Sequence, residues 1–332
     1  TIAEVLKSAG YATFMTGKWH LVENKNKTAD GSKINWPRQR GFDRFFGTLA
    51  GAGSFYTPAT LTLDNNPITE FPKDFYYTTE IGKYAAKFIG EHMVEKKEQP
   101  FFLYVPFTSP HWPLHALEKD IKKYRGKYLK GWDKLRAERH ARQLKMGLVD
   151  QRWPISDRHN KAPAWDSLDE AKKKEMDERM AIYAAMIDSM DQSIGRILNA
   201  LDESDRLAVQ QALSYPEGSA GRLMQREVVM APEHWNVGEA IDYLRNTEDL
   251  PEQFYHIVLV DPRLRPVGNV PLGTLMSSRR EVMLKSIVSD TFHVIPVTRY
   301  EGEVAYAFNQ YHLISAPVVD ENERLVGVIT ID

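Results

Sequence analysis

The stretch GYATFMTGKWHL, Gly10–Leu21, decides the fold. It follows TIAEVLKSAGY, in which Ile2, Val5, Leu6 and Ala9 share one helical face, Thr1 stands at the capping position and Gly10 at the stop. The spacing therefore predicts a short helix feeding a strand over YATFMTG. The pairing recurs further on. YTTEIGKYAAKFIGEHMV, Tyr77–Val94, places Ile81, Tyr84, Ala85, Phe88 and Ile89 at helical spacing, and QPFFLYVPFTSP, Gln99–Pro110, then runs apolar between prolines, as expected for a strand buried on both faces. Helix followed by buried strand is an α/β signature. Between them, Val22–Thr62 is rich in Gly, Asn, Lys and aromatics without a period and reads as long surface loops.

Composition sets the limits. With 332 residues, 42% hydrophobic and 27% charged, the chain has material for two or three domains. A formal net charge of −2 points to neither nucleic acid nor an anionic membrane. No cysteine occurs, which excludes disulfides, thiolate metal sites and a cysteine nucleophile. No apolar run reaches the ~18 to 20 residues of a membrane span, and the N-terminus carries no signal-peptide pattern, so the expectation is a soluble chain that starts mid-domain.

The middle of the chain is polar. KDIKKYRGKYLKGWDKLRAERHARQLK, Lys119–Lys145, is its densest basic stretch and reads as a solvated helical face rather than a nucleic-acid patch, because acidic residues follow it. MDERMAIYAAMIDSMDQSIGRILNALDE, Met176–Glu203, is amphipathic, with Met180, Tyr183, Ala184, Ile187, Met190, Ile194 and Leu198 predicted as its buried face. One continuous helix is expected to run on across RILNALDESDRLAVQQALSYPEG, since no Gly-, Pro- or Ser-rich linker interrupts it. The texture then changes. VVMAPEHWNVGEAIDYLR and FYHIVLVDPRLRPVGNVPL share their plan with FHVIPVTRYEGEVAYAFNQYHLISAPVVDENERLVGVITID, and VDPRLRPVG aligns with VDENERLVG, so that Val260 and Asp261 match Val319 and Asp320 and Gly268 matches Gly327. This is an internal repeat, whose units are expected to complete a shared core.

Lys18 and His20 carry the first chemical signal. Side chains two apart in a strand point to one face, so both can address one anion. His111, in FTSPHWPLHA, falls past the carboxyl end of the second strand, the edge at which open α/β sheets bind ligands. The segments TIAEVLKSAGYATFMTGKWHL, RGFDRFFG, PFFLYVPFTSPHWPLHA and IYAAMIDSMDQSIGRILNAL resemble, in order, those of an arylsulfatase over residues 1–200. That resemblance implies an alkaline-phosphatase-like sheet, with Lys18, His20 and His111 contacting a sulfate ester as anion binders and as proton donor to the leaving oxygen. Positioned Lys and His donors suit a reaction that builds negative charge on the leaving and sulfur-bound oxygens. The family's formylglycine nucleophile, made from a Cys/Ser-x-Pro-x-Arg motif, and its Ca²⁺ ligands, an Asp pair and an Asp-Asn-Gly element, have no counterpart here. Asp64 and Asn65 in LDNNP are only superficially similar and read as a turn. The expectation is a sulfatase-like fragment without sulfuric ester hydrolase activity by itself.

LSYPEGSAGRLMQREVVMAPEHWNVGEAIDYLR and the repeats after it resemble the cytosolic region of an MgtE-type magnesium transporter: the end of its N-domain and a tandem cystathionine-β-synthase (CBS, Bateman-type) pair. The resemblance implies Mg²⁺ sensing by acidic side chains, and in some members an adenine nucleotide between the repeats. Candidates by position are Glu217, Glu248, Asp249, Asp261, Asp320, Glu321 and Glu323. For a nucleotide, Thr330 occupies the family's Thr position, whereas Pro271 and Thr274 stand where the first repeat would need Thr and Asp.

The fold class expected is thus α/β: an incomplete alkaline-phosphatase-like (sulfatase) lobe, residues 1–200, a connecting helix, 201–222, and an α+β tandem CBS pair, 223–283 and 284–332. The function expected is a fusion of an inactive sulfatase-like fragment with a Mg²⁺-sensing regulatory region. The alternatives are an active hydrolase once the missing segment is supplied, or a join of fragments without a selected function. Partners are a sulfate ester or other anion, Mg²⁺ and a second copy through the CBS pair, with neither nucleic acid nor a membrane span. A cytoplasmic setting suits the CBS part, whereas sulfatases are often exported.

Overall fold

The computed structural model describes every residue except 248, 249, 252 and 332, so the expectations for Glu248 and Asp249 lie outside the described residues. The chain divides into two units, residues 1–202 and 203–332. Among the described residues no helix is long and apolar enough to cross a membrane.

The first unit is built in the order α1 (Ile2–Ser8), β1 (Ala12–Lys18), β2 (Arg44–Thr48), β3 (Leu61–Leu63), β4 (Asn66–Pro67), α2 (Tyr77–Glu95), β5 (Phe101–Tyr104), α3 (Glu118–Ile121), α4 (Trp132–Lys145) and α5 (Glu170–Leu198). Its sheet has the order β4-β3-β2-β1-β5, with β2 and β5 parallel to β1, β3 antiparallel to β2 and β4 antiparallel to β3. β1 is covered on both faces. Ala12 and Phe14 enter one core with Ile81 and Phe88 of α2 and Ala181 of α5. Met15 enters the other with Ala3, Trp36, Phe42 and Phe45. A strand so enclosed has no polar face to alternate with, which is why TFM reads as a run.

Several expectations are corrected. Within Val22–Thr62 lies β2, whose Phe45 and Phe46 are fully buried, together with β3, so this is not a stretch of surface loops. β5 pairs with β1 alone among the described residues and Tyr104 is 46% exposed, so it is a half-buried edge strand rather than one buried on both faces. The Thr1 capping box forms, but α1 buries Ala3 while Ile2 and Val5 are exposed. On α5 the buried face is Asp177, Ala181, Ala185, Met186, Ser189 and Ser193, and Met180, Tyr183, Ile187 and Ile194 are each more than a third exposed. The small residues face α2: a Cβ on Gly82 would lie 2.7 Å from that of Ser193. α5 ends at Leu198 and a new helix begins at Glu203, so no single helix crosses the junction.

The second unit runs α6 (Glu203–Ser214), α7 (Ala220–Leu223), β6 (Met230–Pro232), α8 (Val237–Asn246), β7 (His256–Val260), β8 (Pro266–Pro271), α9 (Leu272–Ser277), β9 (Ile295–Pro296), α10 (Glu301–Tyr311), β10 (Ser315–Val319) and β11 (Leu325–Thr330). Its two sheets repeat one plan. β6 is parallel and β8 antiparallel to β7, as β9 and β11 are to β10. The turns match atom by atom. Asp261 Oδ1 accepts from the backbone N–H groups of Arg263 (2.8 Å) and Arg265 (2.9 Å), and Asp320 Oδ1 from those of Asn322 and Arg324 (both 2.9 Å). Each turn adds an arginine Nε on Oδ2, from Arg265 at 2.8 Å and Arg324 at 3.0 Å, and a left-handed residue, Leu264 or Glu323, each with φ 62°. Leu284 packs in the core of the first repeat, and Ala220 and Tyr215 in that of the second.

Candidate functional site

Because β1, β2 and β5 are parallel, their carboxyl ends share one edge of the sheet, and the loops leaving them converge there. The convergence is tight. Lys18 N–H donates to Pro106 O at 2.9 Å and Trp19 N–H to Thr48 O at 2.9 Å, so the ends of all three strands are tied together. Gly17, with φ 135°, permits this: a Cβ there would come within 2.2 Å of Pro106 O.

Lys18 is the last residue of β1 and half-buried, and among the described residues its ammonium has no hydrogen bond or ion pair. His20 does not continue the strand. It has φ 59°, is exposed, and lays its ring on Gly51, where a Cβ would sit 2.3 Å from the imidazole. The two-residue alternation that would put Lys18 and His20 on one face therefore stops at Lys18, and it is the loop that sets the direction of His20. Between them Trp19 is buried, edge-on to Phe42, and its Nε1–H donates to Asn35 O at 2.7 Å. His111 lies in the loop after β5 and is exposed. Its Nδ1 meets Trp112 O at 2.7 Å. A carbonyl can only accept, so Nδ1 carries the proton, and Nε2 has no hydrogen-bond partner among the described residues. That loop is anchored below by the Ser109 and Thr78 hydroxyls, 2.7 Å apart and buried.

The surroundings hold further polar groups that the sequence did not single out. Thr48, Tyr77 and Thr108 line a small cavity of about 30 Å³ beside the edge. Tyr77 Oη accepts from Thr48 N–H at 2.8 Å, and its full burial raises the phenol far above its ordinary value of 10.0. Thr16 Oγ1 and Thr108 Oγ1 are buried with no partner among the described residues. His115, four residues beyond His111, is held against Phe55 and Tyr56 and serves the scaffold. Only tertiary pairing brings Tyr77, at the start of a helix, to the end of β2.

Among the described residues of the second unit the acidic candidates form no cluster that could hold a metal ion. Asp261 and Asp320 are taken up by their own turns. Backbone N–H groups, led by that of Arg265, and its guanidinium hold the Asp261 carboxyl below its ordinary value; partial burial opposes this at Asp320, but the N–H groups of Arg324 and Asn322 and the Arg324 guanidinium outweigh it. Glu217 and Glu321 are exposed in loops, and exposed Glu323 lies 3.9 Å from Arg265. Thr330 ends β11 beside a cavity of about 730 Å³ walled by Val304, Phe308 and Ile329.

Residues 1–208 match the family described as Sulfatase. The chain belongs to the sulfatase family. It is composite, since residues 280–332 match the CBS domain. An uncharacterized sulfatase of Schizosaccharomyces pombe is 33% identical over 217 residues, 60% of this chain and 37% of that protein, and an arylsulfatase of Klebsiella aerogenes is 32% identical over 218 residues, 62% of this chain and 44% of that protein. This sulfatase-family chain thus spans less than half the length of either relative. The magnesium transporter MgtE of Bacillus subtilis is 27% identical over 135 residues, 41% of this chain and 30% of the transporter. Among solved structures, the cytosolic domain of the Mg²⁺ channel MgtE in complex with ATP is 28% identical, with a TM-score of 0.40, covering 46% of this chain and 62% of that one.

A divalent cation needs several converging oxygen ligands. Among the described residues of this sulfatase-family chain, no group of three or more His, Asp or Glu side chains could hold one. Asp64 caps the β3–β4 turn with φ 55° and accepts from Phe45 N–H at 3.0 Å, with Arg44 at 3.4 Å, which is a structural role.

Proposed function

We propose that the edge formed by Lys18, His20 and His111 binds a sulfate ester or a similar oxyanion, and that this polypeptide alone does not hydrolyse it. One observation carries the reading: Lys18, without a counter-ion among the described residues, sits on the same sheet edge as the loops that present His20 and His111. A lysine left without a carboxylate attracts an anion, and the free Nε2 of His111 adds a donor when protonated or an acceptor when neutral. In a hydrolase these groups would stabilise charge on the departing oxygen. The sequence supplies no Cys/Ser-x-Pro-x-Arg nucleophile to begin that step.

The test is a titration of the full chain with 4-nitrophenyl sulfate, following heat of binding and release of 4-nitrophenolate together. Saturable binding without release is expected, weakened about tenfold in Lys18→Ala and in His111→Ala, since a charge-assisted hydrogen bond is worth about 1.5 to 3 kcal/mol. Turnover lost in both variants would replace the reading by an active hydrolase. Binding unchanged in both would abolish it.

For residues 203–332 we propose a ligand-responsive regulatory pair, with Mg²⁺ as the ligand that the MgtE relatives suggest. Asp261 and Asp320 leave the candidate set because their turns occupy them. Glu217, Glu321 and Glu323, with Glu248 and Asp249, remain as proposed ligands; the exposed ones are free to meet carboxylates of a second copy. Thermal unfolding with about 10 to 20 mM MgCl₂, set against KCl of equal ionic strength, should raise the transition by several degrees and favour a dimer in sedimentation. Identical transitions in the two salts would remove Mg²⁺ as the ligand.

A further inference from the structure

Between α4, α5 and the short helical turn Trp165–Ser167 lies a cavity of about 350 Å³ for which the sheet-edge site has no use. Its walls are Trp132, Leu135, Trp165, Met176 and Met180. The two indoles meet edge to face, their centroids 4.9 Å apart at 82°. Both are held in place. Trp165 is buried against Gly131, where a Cβ would come within 2.2 Å of its ring, and its backbone N–H donates to Asp133 Oδ2 at 3.2 Å. Trp132 Nε1–H donates to Pro163 O at 3.1 Å. α4 has no buried residue, so Trp132 and Leu135 give their apolar surface to this cavity instead of to a core.

The cavity also takes Arg136, Arg139 and Arg142 from successive turns of α4. Arg136 is spent on the Ser156 carbonyl and hydroxyl, at 2.9 and 3.0 Å. The other two are not spent. Among the described residues the guanidinium groups of Arg139 and Arg142 make no hydrogen bond or ion pair, and four carboxylates of α4 and α5 are already engaged, Asp133 by Arg158, Glu138 by Lys130, Glu178 by Arg125, and Glu175 by Lys172 and Arg179, while Asp166 of the Trp165–Ser167 turn is exposed and pairs with neither arginine. A cavity of this size with an aromatic and thioether wall and a few converging polar groups is the usual form of a small-molecule site. Its cationic groups fix the charge of what enters.

We propose that this cavity binds a planar aromatic ring bearing an oxyanion, the ring against Trp132, Trp165 and the two methionines and the oxyanion on Arg139 and Arg142. The planar guanidinium forks suit a sulfonate, sulfate or carboxylate, and the indole faces suit a fused ring. None of the cavity's residues belongs to the Lys18, His20 and His111 edge, so this site stands whether or not that one binds sulfate esters.

Naphthalene-2-sulfonate is the probe, followed by its fluorescence anisotropy on the full chain. Saturable binding at one site is expected, weaker by about tenfold or more in the double variant Arg139→Gln/Arg142→Gln and unchanged in Lys18→Ala. The neutral analogue 2-methylnaphthalene should compete at least about tenfold less well. Both arginines are exposed, so the double variant keeps the fold; Met180→Glu, at an exposed wall position, is the second variant and should abolish binding by placing a negative charge beside the oxyanion. Undiminished affinity in the double variant, loss of binding in Lys18→Ala, or no saturation would each overturn the proposal.

Discussion

Alanine at Gly47 is expected to destabilise residues 1–202 by about 4 kcal/mol or more, at the upper end of what single substitutions do. Gly47 of β2 is in register with Gly17 of β1, and a Cβ added to Gly47 would lie 1.8 Å from Gly17 O and 2.8 Å from its carbonyl carbon. The obstacle is backbone in the middle of a sheet, so no rotamer change relieves it. Separating the strands would break the ladder that joins Met15 to Phe45 and Thr16 to Phe46. Gly17→Ala should act in the same direction through Pro106 O, with the added cost of a φ of 135° that an L side chain rarely adopts. It should also displace Lys18, whose N–H bonds that same carbonyl. Hydrogen exchange read peptide by peptide separates the effects: residues 12–18, 44–48 and 101–104 should lose protection while 256–260 and 315–319 keep theirs. Native protection of β1 in Gly47→Ala would show that the strands do not approach as described.

What the sequence reveals depends on whether the governing contact is local. The Thr1 cap, the helix from Tyr77 and the twin turns at Asp261 and Asp320 are local: cap, period and turn chemistry lie within a few residues of one another and can be read directly. β2 is hidden because its evidence is two phenylalanines among Gly, Asn and Lys, and only pairing with β1 makes RFFGT a strand. α5 is instructive in another way. Its large residues suggest one face, yet the buried residues include Ala181, Ala185, Ser189 and Ser193, spaced by four, with Ala181, Ala185 and Ser193 against α2, because close approach of two helices selects small side chains over large ones. Hydrophobicity alone therefore phases the helix wrongly. The site follows the same rule. That Lys18 and His111 lie at one sheet edge is legible from the strand order of an α/β unit, whereas the direction of His20 depends on a left-handed residue that no period announces.

Asp120→Ala is expected to cost residues 1–202 about 3 kcal/mol, the scale for removing one partner of a buried charged network. Asp120 is 1% exposed, and its carboxylate accepts from Ser189 Oγ at 3.0 Å, Gln192 Nε2 at 3.0 Å and Lys123 Nζ at 2.8 Å, so it ties α3 to the polar, small-residue face of α5. Lys123 also reaches Asp188 at 2.9 Å. Truncation leaves the buried Ser189 hydroxyl without its acceptor, and Gln192 and Lys123 with Asp188 alone. The carboxyl also makes the fold sensitive to acid. Burial raises the pKa of Asp120, but the hydrogen bonds from Lys123, Gln192 and Ser189 outweigh it and hold the group below its ordinary value of 3.8. The unfolded chain then binds the proton first, so the stabilisation is complete at neutral pH and is lost as the pH falls through the folded-state value, below about pH 4. Denaturant titrations at neutral pH and at about pH 3 should differ more in the native chain than in Asp120→Asn, whose amide keeps the shape but does not titrate. An equal loss in both would assign the acid sensitivity to the other lowered carboxyls of the unit, Asp43 and Asp188 among them, and would leave Asp120 with a packing role only.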